Sequence, residues 1–151
     1  FNPLAVAYFS DEKLEALAQD KSIVRNVTKI VAVRNNANYL LDCQQRFASF
    51  SAFIANWPRD NVTGLWLELK KKGCRLGGNT EPMMLRSMGV DTFLLTKDVC
   101  AALINHGFVN KISINSQTDL RLVEGAFKKL QQQSGRPLCE ISKILALSTH
   151  N

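Results

Sequence analysis

Apolar side chains recur along this chain with a period near 3.6, and caps and breakers divide the pattern into segments. Ser10 before Asp11 and Glu12 reads as a helix start, with Leu14, Leu17 and Ala18 as its apolar side. From Lys21 to Phe47, Ile23, Val27, Ile30, Val31, Ala37, Leu40 and Leu41 recur at helical spacing. The β-branched density around Ile30–Val33 would suit a strand, but the length of this segment without Gly or Pro predicts a helix. Ser49–Ile54 predicts a short helix closed by Pro58. Asp60 or Asn61 would cap the next helix, which carries Leu65, Trp66 and Leu69 and stops at Gly73. A further helix is expected near Pro82–Met88, ended by Gly89, and another from a Thr96 cap to Gly107. Ser116 and Asp119 form a capping-box-like start before Leu120, Val123, Phe127 and Leu130. Pro137 at a first helical position opens the last helix, with Leu138, Ile141 and Leu145 inward. The pattern predicts an all-α fold: one compact bundle of seven to eight short helices over residues 1–151, without strands, repeats or low-complexity linkers.

Composition narrows this only slightly. At 46% hydrophobic residues the chain has enough apolar side chains for a core. Its net charge of +6 favours a polyanionic partner without requiring one. No apolar run approaches the roughly 18–20 residues of a membrane span, and the first residues lack a basic n-region and a cleavage-type end. Cys43, Cys74, Cys100 and Cys139 fit no CxxC pattern, and His106 and His150 have no Cys nearby in sequence; no metal centre and no cofactor are expected. Without a secretory signal, the expectation is four reduced, mostly buried thiols in a cytoplasmic protein. Phe1-Asn2-Pro3 reads like the middle of a loop, so the chain is expected to be the C-terminal part of a longer protein.

The candidate chemistry lies in residues 65–99, which read as helix, Gly-rich hairpin, helix, then an Asp-bearing segment. Gly77-Gly78 permits a turn with positive φ and a close backbone approach. The amides of Gly77, Gly78, Asn79 and Thr80 would then stand at a helix N-terminus, where unpaired N–H groups and the helix dipole suit a phosphate. Lys70, Lys71, Lys72 and Arg75 reinforce the field; Arg86 and Lys97 flank it. The same residues also suit a plain tight turn and a solvated helix end. Asp91 is either an element cap or a carboxylate that stabilises cationic charge on a sugar as a base departs. Asp98 competes for that role but is explained as a first-turn acid. Trp57, Trp66 and Phe93 read as packing residues, His106 as a helix-end residue, and Arg25, Lys29 and Arg34 as salt-bridge or DNA-backbone residues.

Several stretches carry a family resemblance. Ile23-Val24-Arg25-Asn26-Val27-Thr28-Lys29-Ile30 and the following Asn35-Asn36-Ala37-Asn38-Tyr39-Leu40, then Leu69–Gly73 into Leu76–Thr80, then Gly89-Val90-Asp91-Thr92, resemble helix-hairpin-helix DNA glycosylases, closest to the 3-methyladenine DNA glycosylase I type. The opening Phe1-Asn2-Pro3 resembles that family's internal "FDP". The resemblance covers most of residues 1–107 and sets the helix-hairpin-helix at about 62–88. It implies double-stranded DNA with alkylated bases as partner, no membrane, a monomer, and a bacterial cytosol or nucleoid. The implied reaction is hydrolysis of the N-glycosidic bond of alkylated purines such as 3-methyladenine, with the base flipped from the stack. Asp91 becomes the catalytic candidate; Lys72, Arg75, Gly77, Gly78, Asn79, Thr80 and Lys97 become the DNA-binding set. The lysine nucleophile of lyase-type relatives would fall near Asn79, which forms no Schiff base, so a monofunctional hydrolase is implied. The iron–sulfur cysteines and the Cys/His zinc ligands of relatives are missing, and the hairpin-to-Asp91 spacing is shorter than in the endonuclease III branch. The family's base pocket draws on a Gln/Trp-bearing helix that would fall before Phe1. A non-catalytic helix-hairpin-helix DNA-binding module is the second reading, and a helical protein-interaction domain the third.

Overall fold

The computed structural model describes residues 2–149. Phe1 and His150, both singled out above, lie outside the described residues. Nine helices form among the described residues: α1 (Pro3–Ala7), α2 (Asp11–Gln19), α3 (Val27–Phe47), α4 (Phe50–Ala55), α5 (Val62–Lys72), α6 (Thr80–Ser87), α7 (Lys97–Asn105), α8 (Gln117–Ser134) and α9 (Leu138–Ser148). The all-α expectation holds, with one helix more than predicted. The addition is α1, where a loop was expected. The Asn2 side chain accepts from the amides of Leu4 at 3.0 Å and Ala5 at 3.4 Å, and Pro3 fixes φ at the first helical position.

The long third helix also starts later than its periodicity suggests. Asp20 accepts from the Ser22 amide at 2.8 Å and hydroxyl at 2.6 Å, which turns the chain. Asn26 then caps α3 by accepting from the Lys29 amide at 3.0 Å. Ile23, Val24 and Arg25 therefore precede the helix, and both apolar side chains are exposed.

The chain divides into two compact units: residues up to 57 together with 68–76, and residues 58–67 together with 77 onward. Within the first, α1, α2 and α4 pack on α3. Arg34 on α3 donates to Asp11 at 2.7 Å and to the Phe9 carbonyl at 3.1 Å, holding the start of α2. Arg34 thus makes the salt bridge that was one of its two expected roles. Tyr39, Phe47, Phe50, Phe53 and Trp57 form a chain of ring contacts, with Trp57 edge-on to Phe53 at 5.6 Å.

In the second unit, α7 and α8 pack on α9. Phe93 is fully buried and stacks on Phe127 with centroids 4.0 Å apart, while Trp66 meets Phe93 edge-on at 4.7 Å. Such ring pairs add about 0.5–1.5 kcal/mol beyond the area they bury. The start of α5 is capped from a distance. The buried carboxylate of Glu124 on α8 accepts from the Val62 amide at 2.9 Å, the Thr63 amide at 3.3 Å and the Thr63 hydroxyl. Lys128, one turn on, lies 3.6 Å from the same carboxylate and donates to the Asp60 carbonyl.

Candidate functional site

The residues between α5 and α6 decide what the glycine turn can do. Gly73 has a packing reason: a Cβ there would stand 2.4 Å from Leu76 Cδ1 and 2.8 Å from the Leu69 carbonyl oxygen. Cys74 is locked in the same unit by Asn36, whose side chain accepts from the Cys74 amide at 2.7 Å and donates to its carbonyl at 3.0 Å. Arg75 adopts φ +59°, a left-handed conformation that costs a non-glycine residue roughly 1–2 kcal/mol. Such strain persists where neighbours over-determine the backbone and is common at functional positions. Lys72, the last residue of α5, and Arg75 are both exposed.

The second unit holds the rest. Of the two adjacent glycines, Gly78 takes the positive φ, +78°. Gly77, Gly78 and Thr80 are exposed, and Asn79 is half-buried at the N-cap position of α6. The Thr80 amide bonds back to the Gly77 carbonyl at 3.4 Å, so it is partly committed within the turn. The Asn79 side chain does not cap its own helix. It donates to the Leu95 carbonyl at 3.1 Å and accepts from the Leu95 amide at 3.0 Å, like one more strand residue pairing with an extended segment. Asn79 is thus a structural clamp on Leu95.

Asp91 follows Gly89, which takes φ +83°, and lies in the extended stretch before α7. It is exposed, yet each carboxylate oxygen accepts an amide of the α9 N-terminus: Leu138 at 2.8 Å and Cys139 at 2.9 Å. Pro137, the residue before α9, supplies no side-chain cap, so Asp91 takes that role from another element. Pro137 was expected at the first helical position and stands one residue earlier. The same stretch is held at three further points. Arg86 Nε donates to the Thr92 carbonyl at 2.9 Å, Ser142 Oγ donates to the Leu94 carbonyl at 3.2 Å and accepts from the Leu94 amide at 3.0 Å, and Asn79 grips Leu95. Ser142 carried no sequence signal, being a small polar residue on the inner face of an apolar helix. Cys139 lies beside this array. Burial pushes its thiol up first, helped by the hydrogen bond and charge of Asp91 and opposed by the charge of Arg86.

Lys97 is the first residue of α7, exposed, behind a Thr96 cap that accepts the Val99 amide at 3.3 Å. Asp98 lies in the first turn of α7, the place expected for a dipole-compensating acid. His106 is the residue that ends α7, before Gly107 at φ +70°. In the first unit a cleft of about 720 Å³ opens between α2 and the start of α3, lined by Leu14, Val27 and Val31 with Asp11, Glu12 and Glu15. None of the candidate site residues lines it. Among the described residues, no cluster of His, Cys, Asp and Glu is placed to hold a metal ion, all four cysteines are free thiols, and no helix is long and apolar enough to cross a membrane. Only Cys43 is fully buried, against the expectation for most of the four.

Residues 1–72, just under half of the chain, match the family model of methyladenine glycosylase. The match ends at Lys72, before Gly77, Gly78 and Asp91. No curated protein and no solved structure gives a significant match.

Proposed function

We propose that this protein is a monofunctional DNA glycosylase that hydrolyses the N-glycosidic bond of alkylated purines such as 3-methyladenine in double-stranded DNA, acting as a cytoplasmic monomer. The observation that carries the reading is the methyladenine glycosylase match over residues 1–72. The local chemistry agrees with it. The amides of Gly77, Gly78 and Asn79, at the positive end of the α6 dipole, suit one phosphate oxygen without reading a base. Lys97 adds positive charge in the same unit; Lys72 and Arg75 do so in the other. These are the candidate backbone contacts.

The reaction asks little of the protein once the nucleotide is out of the stack. A 3-alkylated adenine is already cationic. When the C1′–N bond breaks, its electron pair leaves with the base and neutralises it, and positive charge passes to the sugar. Asp91 is the candidate that stabilises this charge. Its two oxygens each spend one lone pair on α9 amides, which leaves the others to face a cation or to orient water. Water adds to C1′ and releases its proton. The Asn79 side chain is neutral and committed to Leu95, which supports water rather than an amine as nucleophile.

Incubation with methylated duplex DNA and chromatography of the released bases tests the reading. Free 3-methyladenine with no borohydride-trappable protein–DNA adduct is expected. Salt-sensitive DNA binding with no base release would instead establish a non-catalytic binding module.

A further inference from the structure

The contacts of Arg86 give it a role that its sequence position does not suggest. It sits in the last turn of α6, half-buried, with its guanidinium directed at two backbone carbonyls. Nε donates to Thr92, the residue after Asp91, at 2.9 Å; Nη2 donates to Cys139, at 3.5 Å. Cys139 is also the residue whose amide binds Asp91 Oδ1. Arg86 therefore holds both partners of the Asp91–α9 contact from behind. Among the described residues it makes no ion pair with Asp91 itself. That distinction matters: a guanidinium paired directly with the carboxylate would quench its charge, whereas one bound to flanking carbonyls fixes its place and leaves the charge for the substrate.

The need for such a brace follows from the backbone. Gly89, two residues before Asp91, takes the left-handed φ +83°, and the amides of Gly89 and Val90 bond back to the Arg86 and Leu85 carbonyls at 3.0 and 2.9 Å, so this turn holds the backbone as far as Val90 and Asp91 is the first residue beyond it. The two α9 amides would follow a displaced carboxylate only if α9 moved too. The Arg86 fork, rigid and planar, ties segment and helix into one frame.

We infer that Arg86 is a positioning residue for Asp91, setting the carboxylate's location through the carbonyls of Thr92 and Cys139. This inference rests on the proposed glycosylase reading with Asp91 as its electrostatic catalyst.

A double-mutant cycle on the full protein tests it, with single-turnover base release from methylated duplex and DNA affinity as readouts. Arg86→Ala is expected to slow release roughly ten- to a hundredfold, the range for a small misplacement, with DNA affinity nearly unchanged. In the Asp91→Asn background the same change is expected to cost nothing further. Arg86→Lys keeps the charge, loses the fork, and should show the same split at smaller size; it serves as the decisive variant where the alanine protein does not fold. An equal loss in both backgrounds, or full activity of both Arg86 variants, overturns the positioning role while the glycosylase reading stands. An unaffected Asp91→Asn protein overturns the Asp91 reading and the inference with it.

Discussion

Asp91 and Leu138 lie 47 residues apart, yet a carboxylate oxygen of the first accepts the backbone N–H of the second at 2.8 Å. With the Cys139 amide on the other oxygen, Asp91 closes the N-terminus of a helix whose own preceding residue is a proline. Asp91→Ala should therefore destabilise the second unit by about 1–2 kcal/mol, the cost of a lost N-cap, and Asp91→Asn by less, since an amide oxygen still accepts one bond. Urea denaturation of the two variants measures this, and it sets the background against which activity losses are read.

Asn79 predicts a different outcome from its place in the glycine turn. Its side chain makes two hydrogen bonds to Leu95, so Asn79→Ala is expected to cost about 1–3 kcal/mol by leaving those backbone groups unpaired. Asn79→Lys should lose the same clamp and gain no lyase activity. A borohydride-trapped adduct from Asn79→Lys would show that the position faces the sugar after all.

The buried cap of α5 gives a stability prediction independent of function. Thr63→Val removes a hydroxyl donated to Glu124 and should cost about 1–2 kcal/mol. Glu124→Ala removes three acceptor contacts and the ion-pair partner of Lys128, and is expected to cost about 3 kcal/mol or more. Thermal melts of both variants check the order.

Raising the pH should weaken the fold. Burial pushes the thiols of Cys43, Cys100 and Cys139 and the phenol of Tyr39 upward. A group raised in the folded state contributes stability below its unfolded pKa and loses it as pH climbs through the folded value. The denaturation midpoint is thus expected to hold near neutrality and fall above the ordinary thiol value of 9.0. Cys139→Ser should flatten part of that fall.

If the basic residues contact phosphates, they must show it in salt dependence. Each of Lys97→Ala, Lys72→Ala and Arg75→Ala is expected to reduce the slope of log affinity against log salt by about 0.9, without a sequence preference. A variant that leaves the slope unchanged removes that side chain from the contact set.

Much of the fold was legible because helix signals are local. Ser10, Ser49, Thr96 and Ser116 each cap the helix they precede. The failures came where the partner is remote or the signal too short. The five residues of α1 are too few to show a period, though Asn2-Pro3 held the cap. Asp60 or Asn61 was expected to cap α5 from next to it; that Glu124, over 60 residues away, takes the Val62 and Thr63 amides was not legible. Within the candidate site, Gly78 and Lys97 stand as expected, exposed at helix starts, but the clamps by Asn79, Arg86 and Ser142 were invisible. Their acceptors and donors are backbone groups of distant residues, and any residue supplies those equally well, so the sequence holds no trace of the pairing.

The account turns on Asp91, and the most direct measurement compares wild-type and Asp91→Asn protein for base release from methylated duplex under single turnover, with DNA affinity measured on the same preparations. It predicts 3-methyladenine release by the wild type, at least about a hundredfold slower release by the variant, as for loss of a transition-state electrostatic contact, and matching affinities. Equal rates, or no release by either protein, would contradict it.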